Sequence, residues 1–254
     1  MPTKAFFLCY NWYGDSMKKI AIFSDIHGNL QALNSILEAI DKEDFDEVIC
    51  LGDVVGVGPD SKDCLDVIMD SNIKMVKGNH EIYQTNKELA KKLLNGVEYA
   101  HKEWVRLTLN DKEMEYLKNL PIEYEELING QLFTFSHFFL DDTKEYYITL
   151  NILGGKEVFD VMNNYETDYM FMGHSHEAFT LKNRGLFTCV GSSGCRKDNV
   201  TFYTKVTIDE KNVRIDKKEV LYDRKAFERA VLKLDYPDRE RALDFCNIKI
   251  KERE

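Results

Sequence analysis

The sequence lacks paired cysteines, long apolar runs, proline-rich segments and an excess of positive charge. Its six cysteines, Cys9, Cys50, Cys64, Cys189, Cys195 and Cys246, are scattered with no CxxC pair. That pattern argues against a disulfide framework or a thiolate zinc site and places the chain in a reducing cytoplasm. No apolar stretch approaches the roughly 20 residues that span a bilayer, and the mean hydropathy of −0.40 agrees, so no membrane segment is expected. Lysine and arginine number 34 against 44 aspartates and glutamates, a formal charge of −10. Acidic balance of that size argues against a nucleic-acid backbone or an anionic membrane as the main partner. With four prolines in 254 residues and 44% hydrophobic content, there is no linker or repeat to split the chain, and one domain over 17–254 is expected. Residues 1–16, ahead of Met17-Lys18-Lys19, read as a non-native or flexible leader, too interrupted for a signal-peptide core.

What is present is a strand, loop and helix pattern that recurs with polar residues at each strand end. Lys19 to Phe23 is a short apolar run that stops at Ser24-Asp25-Ile26-His27-Gly28-Asn29. From Leu30 the apolar residues Leu30, Leu33, Ile36, Leu37 and Ile40 fall at helical spacing, and Asn29 is placed to cap that helix. Glu47 to Leu51 is a second strand, ending at Gly52-Asp53; Asp60 is expected to cap the helix that follows. Ile73 to Val76 is a third strand, ending at Gly78-Asn79-His80-Glu81. Residues 84–120 read as a helical cap or outer layer. Further strands are expected at 131–136, ending at His137, and at Tyr169 to Met172, ending at Gly173-His174-Ser175-His176. Leu186–Val190, Val200–Ile208 and Val213–Ile215 read as consecutive strands closing a second sheet, followed by one helix over Glu228–Arg241 and a charged tail.

A lone histidine is usually structural, but here the distribution carries weight. Of the six, five (His27, His80, His137, His174 and His176) follow strands, and only His101 lies in a helical, charged stretch. Imidazoles, carboxylates and one amide oxygen suit Mn²⁺, Fe²⁺ or Zn²⁺, with Ni²⁺, Co²⁺ and Mg²⁺ also accommodated. The clusters indicate two ions, and Asp53, in the middle cluster, is the natural bridge.

Asp25-x-His27, Gly52-Asp53, Gly78-Asn79-His80-Glu81, His137 and Gly173-His174-x-His176 together resemble the calcineurin-like metallophosphoesterase family, in its compact bacterial and archaeal phosphodiesterase branch. The resemblance implies an α/β (α+β) fold: a four-layer α-β-β-α sandwich of two mixed β-sheets flanked by helices. It implies one metal held by Asp25, His27, Asp53 and His176 and another by Asp53, Asn79, His137 and His174. His80 would be free of metal, stabilising phosphoryl charge or protonating the leaving oxygen. The implied activity is hydrolysis of small phosphodiesters by in-line attack of a metal-bridging hydroxide. A phosphomonoesterase or dinucleoside polyphosphate hydrolase would use the same centre, and a protein-interaction scaffold is the non-enzymatic alternative. Two departures stand out. Where the family usually has glycine after the fourth-motif histidine, this chain has Phe138-Phe139, which read as core aromatics or a substrate wall. A Gly191-Ser192-Ser193-Gly194 turn leads to Arg196 and Lys197, candidates to neutralise a substrate phosphate.

Overall fold

The structure is a computed structural model that describes residues 17–141, 147–148, 155–210 and 212–249. The leader at 1–16 and the end of the charged tail lie outside the described residues. Strand β1 (Lys18–Phe23) occupies the middle of a five-stranded sheet. It pairs in parallel with β2 (Glu47–Cys50), which pairs in parallel with β3 (Lys74–Met75). On its other edge β1 pairs antiparallel with β11 (Val200–Ile208), and β11 with β12 (Val213–Leu221). The second sheet runs β4 (Glu123–Ile128), β5 (Gln131–Ser136), β8 (Tyr169–Met172), β10 (Leu186–Cys189), β9 (Phe179–Lys182), parallel in its middle and antiparallel at both edges. A two-stranded ribbon, β6 (Phe139–Leu140) with β7 (Tyr147–Ile148), stands apart.

The period of two along β1 decides the layers. Ile20 and Ile22 face the second sheet, where they pack with Ile49, Phe133, Phe135 and Phe171. Ala21 and Phe23 face outward onto Leu33, Ile36 and Ile40 of α1 (Leu30–Ile40) and Cys64 and Ile68 of α2 (Ser61–Met69). On the far side, Met170, Met172 and Phe187 pack against Met162 of α7 (Gly155–Met162). The result is the expected four-layer sandwich. Because β1 is buried on both faces, its residues form one continuous apolar run, each large side chain contributing about 1.5–3 kcal/mol.

Several element expectations need correction. Asp60 precedes α2 but makes no side-chain capping bond. The strands over 200–208 and 213–221 do not close the second sheet; they extend the first. The stretch 228–241 is two helices, α8 (Arg224–Lys233) and α9 (Arg239–Phe245). Pro237 lies between them, where it cannot continue a helix. Helix begins at residue 79 rather than 84, as α3 (Asn79–Thr85), α4 (Lys87–Leu93), α5 (Gly96–Thr108) and α6 (Asp111–Asn119). Asn29 does cap α1, its side-chain oxygen accepting from the Ala32 amide at 3.0 Å.

Candidate metal centre

Each candidate ligand sits where a strand ends, and five of the seven have left-handed backbone: Asp25, His27, Asp53, His174 and His176, with φ between 49° and 69°. Such conformations cost about 1–3 kcal/mol each in non-glycine residues and persist only where the surroundings impose them. Here the loops bind one another. The Asp25 and His27 amides donate to the carbonyls of Gly52 and Asp53 at 3.0 and 2.9 Å, and the Gly173 amide donates to the His137 carbonyl at 3.0 Å. The Gly194 amide and the Ser192 hydroxyl both donate to the Asp25 carbonyl, at 3.0 and 2.8 Å.

Side chains from all five loops converge. His27 Nε2 and His176 Nε2 face each other at 3.0 Å, and Asp25 Oδ1 lies 3.7 and 3.4 Å from them. Asp53 Oδ2 is 3.8 Å from His27 Nε2 and 3.2 Å from His137 Nε2. Beyond it, Asn79 Oδ1 and His174 Nδ1 are 2.8 Å apart, and the ligand atoms of Asp53, His137 and His174 lie within 4.8 Å of one another. Two donor sets therefore share one carboxylate. Opposed imidazole nitrogens and an Asp25 Oδ1 that makes no hydrogen bond form an arrangement that a divalent cation satisfies, so the residues fit a metal pair.

The surroundings orient these groups. His137 Nδ1 lies 2.7 Å from the Leu51 carbonyl; a carbonyl only accepts, so Nδ1 carries a hydrogen and Nε2 is the nitrogen turned toward Asp53, the one that would give its lone pair to a metal once its proton is displaced. Burial opposes ionisation of Asp25, yet the imidazoles of His137, His176 and His27 hold it well below the usual carboxylate range. Asp53 is held low likewise, against burial, by His137, His80 and His27. His137, despite burial, is pushed up to about 9 by Asp53 and Asp25. Burial, with His137 nearby, pushes His174 down to about 4.

His80 stands at the rim of both sets, its ring 4.9 Å from that of His27 and its amide donating to Asp53 Oδ1 at 2.9 Å. Its ligand-capable nitrogen also lies within 4.8 Å of a His27 ring nitrogen and an Asp53 carboxylate oxygen. Burial pushes this imidazole down to about 3. Gly56, at φ +90°, permits the close approach, since a Cβ there would fall 2.1 Å from His80 Nδ1.

Arg196 and Lys197 line the cleft over the centre, a space of about 780 Å³. Arg196 is committed to its own turn, donating from Nε to the Val200 carbonyl at 2.9 Å and covering the Phe202 ring. Lys197 is exposed on the wall. Phe138 and Phe139 are both buried, Phe138 edge-on to His137 and His174, which makes them core rather than substrate wall. His101 lies outside the centre, in α5, against Pro237.

Four residues at the site escape a reading of spacing. Glu81 is fully buried and accepts from the amides of Asp53, Val54, Val55 and Gly78 at 2.8–3.2 Å. The glycine cap with glutamate three residues on is the one signal that pointed to it. Cys195 brings its sulfur within 4.8 Å of the ligand nitrogens of His27 and His176 and shares a hydrogen bond with the Cys246 thiol. Arg241 and Phe245 reach the cleft from α9, Phe245 edge-on to His176 at 5.3 Å; nothing in their spacing links them to residues 25–176.

Residues 18–178 match the profile of the calcineurin-like phosphoesterases. The chain is 30% identical over 235 residues to the uncharacterized protein MJ0912 of Methanocaldococcus jannaschii, an alignment covering 84% of this chain and 91% of that protein. It superposes on the hypothetical protein PH1004 from Pyrococcus horikoshii with a TM-score of 0.72 at 19% identity, covering 89% of this chain and 96% of the other. A metallophosphoesterase from Sphaerobacter thermophilus superposes with a TM-score of 0.68 at 21% identity, over 90% and 99% of the two chains. At those identities the two structures speak to the fold.

Proposed function

Since the chain belongs to the calcineurin-like phosphoesterase family and is a metal-dependent phosphoric ester hydrolase, we propose that it hydrolyses small phosphodiesters at a two-metal centre. The observation that carries the reading is the pair of donor sets meeting at Asp53 Oδ2. Asp25, His27, Asp53 and His176 hold one ion; Asp53, Asn79, His137 and His174 hold the other. Two divalent ions supply Lewis acidity and a water acidified enough to attack phosphorus near neutral pH. On donor chemistry the ions are Mn²⁺, Fe²⁺ or Zn²⁺.

The chain's own residues then orient and discriminate. His80 donates a ring N–H to a phosphoryl oxygen or to the leaving oxygen. Lys197 meets the substrate's charge from the cleft wall, with Arg196 as the buttress of its turn. The same wall sets Glu177, Asp198 and Asp244 against Arg196, Lys197 and Arg241, so it offers no surplus of positive charge to the second negative charge of a monoester, which favours the single charge of a diester. A single domain over 17–254 supports this chemistry, since β1 near one end pairs with β11 near the other. The free thiols of Cys50, Cys64, Cys189, Cys195 and Cys246 support a reducing cytoplasm as its setting.

The test compares bis(p-nitrophenyl) phosphate with p-nitrophenyl phosphate on metal-stripped protein after Mn²⁺ is restored. Diester turnover well above monoester turnover is expected. The reverse preference would replace the reading with a phosphatase, and bound metal without turnover of either would favour a scaffold. In the same assay His80→Ala is expected to lose about 10²–10⁴-fold in turnover while elemental analysis finds the metals retained; unchanged turnover would remove His80 from the chemistry.

A further inference from the structure

The donor set of Asp25, His27, Asp53 and His176 has a sulfur beside it that comes from a distant turn. Cys195 Sγ lies within 4.8 Å of a ring nitrogen of His27 and of a ring nitrogen of His176, the two imidazoles whose Nε2 atoms face each other at 3.0 Å. Asp25 Oδ1, fully buried and without a hydrogen bond, points into the same space, 3.7 and 3.4 Å from those Nε2 atoms. A buried carboxylate oxygen and two opposed imidazoles call for a cation between them, and the sulfur stands within reach of both rings.

The position of Cys195 is fixed by its backbone. Its turn is docked along the loop that carries Asp25 and His27: the Ser193 and Gly194 amides donate to the carbonyls of Ser24 and Asp25 at 2.9 and 3.0 Å, and Asn29 Nδ2 donates to the Gly194 carbonyl at 2.8 Å. A Cβ at Gly194 would fall 1.8 Å from the Ile26 carbonyl oxygen, so only glycine lets the turn lie that close. The Cys195 amide then donates to Ser192 Oγ at 2.9 Å, which holds the residue on the wall of the cleft. Cysteine also packs as a small hydrophobe, and the side of Cys195 toward Cys246 does so. Packing there gives no reason for a sulfur beside two imidazoles and a carboxylate.

We propose that Cys195 is a further ligand of the first ion, joining Asp25, His27, Asp53 and His176, and that it makes the two ions chemically different. The inference rests on the two-metal reading and deepens it. On ligation the thiol proton leaves to solvent as the sulfur–metal bond forms. The hydrogen bond that the two thiols share is then donated by Cys246 and steadies the bound sulfur. Thiolate is a soft donor that selects Zn²⁺ over Mn²⁺ or Mg²⁺, whereas Asp53, Asn79, His137 and His174 offer the second ion only oxygen and nitrogen. The first site is therefore the thiophilic one. The want of cysteine pairs in the sequence excludes a site built of thiolates alone and leaves room for one sulfur among imidazoles.

The test uses the full chain, stripped of metal and kept reduced with a phosphine. After Zn²⁺ is restored, X-ray absorption at the zinc edge is expected to show sulfur at about 2.3 Å; a shell of nitrogen and oxygen alone would overturn the proposal whatever the variants do. With Co²⁺ as the optical probe, the unaltered chain and Cys246→Ser are expected to show a near-ultraviolet sulfur-to-cobalt charge-transfer band that Cys195→Ser lacks. Elemental analysis establishes that Cys195→Ser still holds cobalt, and circular dichroism that it folds. A band that survives Cys195→Ser would give the sulfur to another cysteine and overturn the assignment. Cys195→Ser is also expected to lose at least about tenfold in Cd²⁺ affinity while keeping its Mn²⁺ affinity; equal losses for the two ions would reduce Cys195 to packing. Because none of these readouts is turnover, the two ideas fail separately. Sulfur ligation without diester turnover would refute the phosphodiesterase reading alone, and turnover with a sulfur-free metal shell would refute the ligand alone.

Discussion

At the scale of residues, the centre rests on one carboxylate. Asp25 Oδ1 lies 3.7 and 3.9 Å from His27 and His137, but Asp53 is the carboxylate grouped both with His27 and with His137 and His174, so its loss should be felt by both ions, whereas Asn79 touches only the His174 side. Asp53→Asn is expected to purify with neither ion, and Asn79→Ala to keep one, as read by elemental analysis after gel filtration. If both variants lost the same single ion, Asp53 would not be shared. Nearly all these side chains were legible in the sequence because each follows an apolar run and belongs to a five-part motif. Arg241 and Phe245 were not, because the packing of α9 places them at the cleft, and Cys195 was not, because its turn is docked on the Asp25 carbonyl through Ser192 and Gly194; neither leaves a trace in local spacing.

At the scale of elements, one side chain carries most of the bonds between α3 and the β2 loop, the His80 amide on Asp53 Oδ1 adding another. Glu81 gathers four amides, three from Asp53–Val55 and one from Gly78, and so sets where Asp53, Asn79 and His80 stand relative to one another. Glu81→Gln turns an NH2 group, a donor that cannot accept, toward two of those amides. An expected loss of about 2–4 kcal/mol in urea unfolding, with metal affinity reduced about 10–100-fold, would follow; a variant of unaltered stability and affinity would make Glu81 incidental. Three strands that sequence reading missed or shortened have a common property. β4, β9 and β12 are sheet edges, and edge strands carry charge that blunts pairing with other chains. In β12, Val-Arg-Ile-Asp-Lys-Lys-Glu-Val-Leu hides its alternation beneath lysines and acids, while β1 and β8, buried on both faces, announce themselves.

At the scale of the whole molecule, two sheets pressed face to face bring five loops to one end of the sandwich, and strained backbone is concentrated there. Metal binding to the folded chain should therefore stabilise it by mass action. Protein stripped with a chelator is expected to melt several degrees lower than protein with Mn²⁺ restored, the gain rising with metal concentration; coincident calorimetric transitions would mean the donor sets do not bind the ion. The sequence by itself determined the strand ends and the polar loops that follow them, because buried strands and ligand-bearing loops are local patterns, and the resemblance those motifs carry implied the family, the four-layer architecture and the ligand sets. Only the tertiary structure decided that 200–221 extends the first sheet, that Arg196 is held by its own turn, and that α9 and α5 enclose a polar cavity beside His80. The sheet and the cavity depend on contacts between segments more than a hundred residues apart, and Arg196 on the direction its side chain takes toward Val200 and Phe202; no local periodicity encodes either.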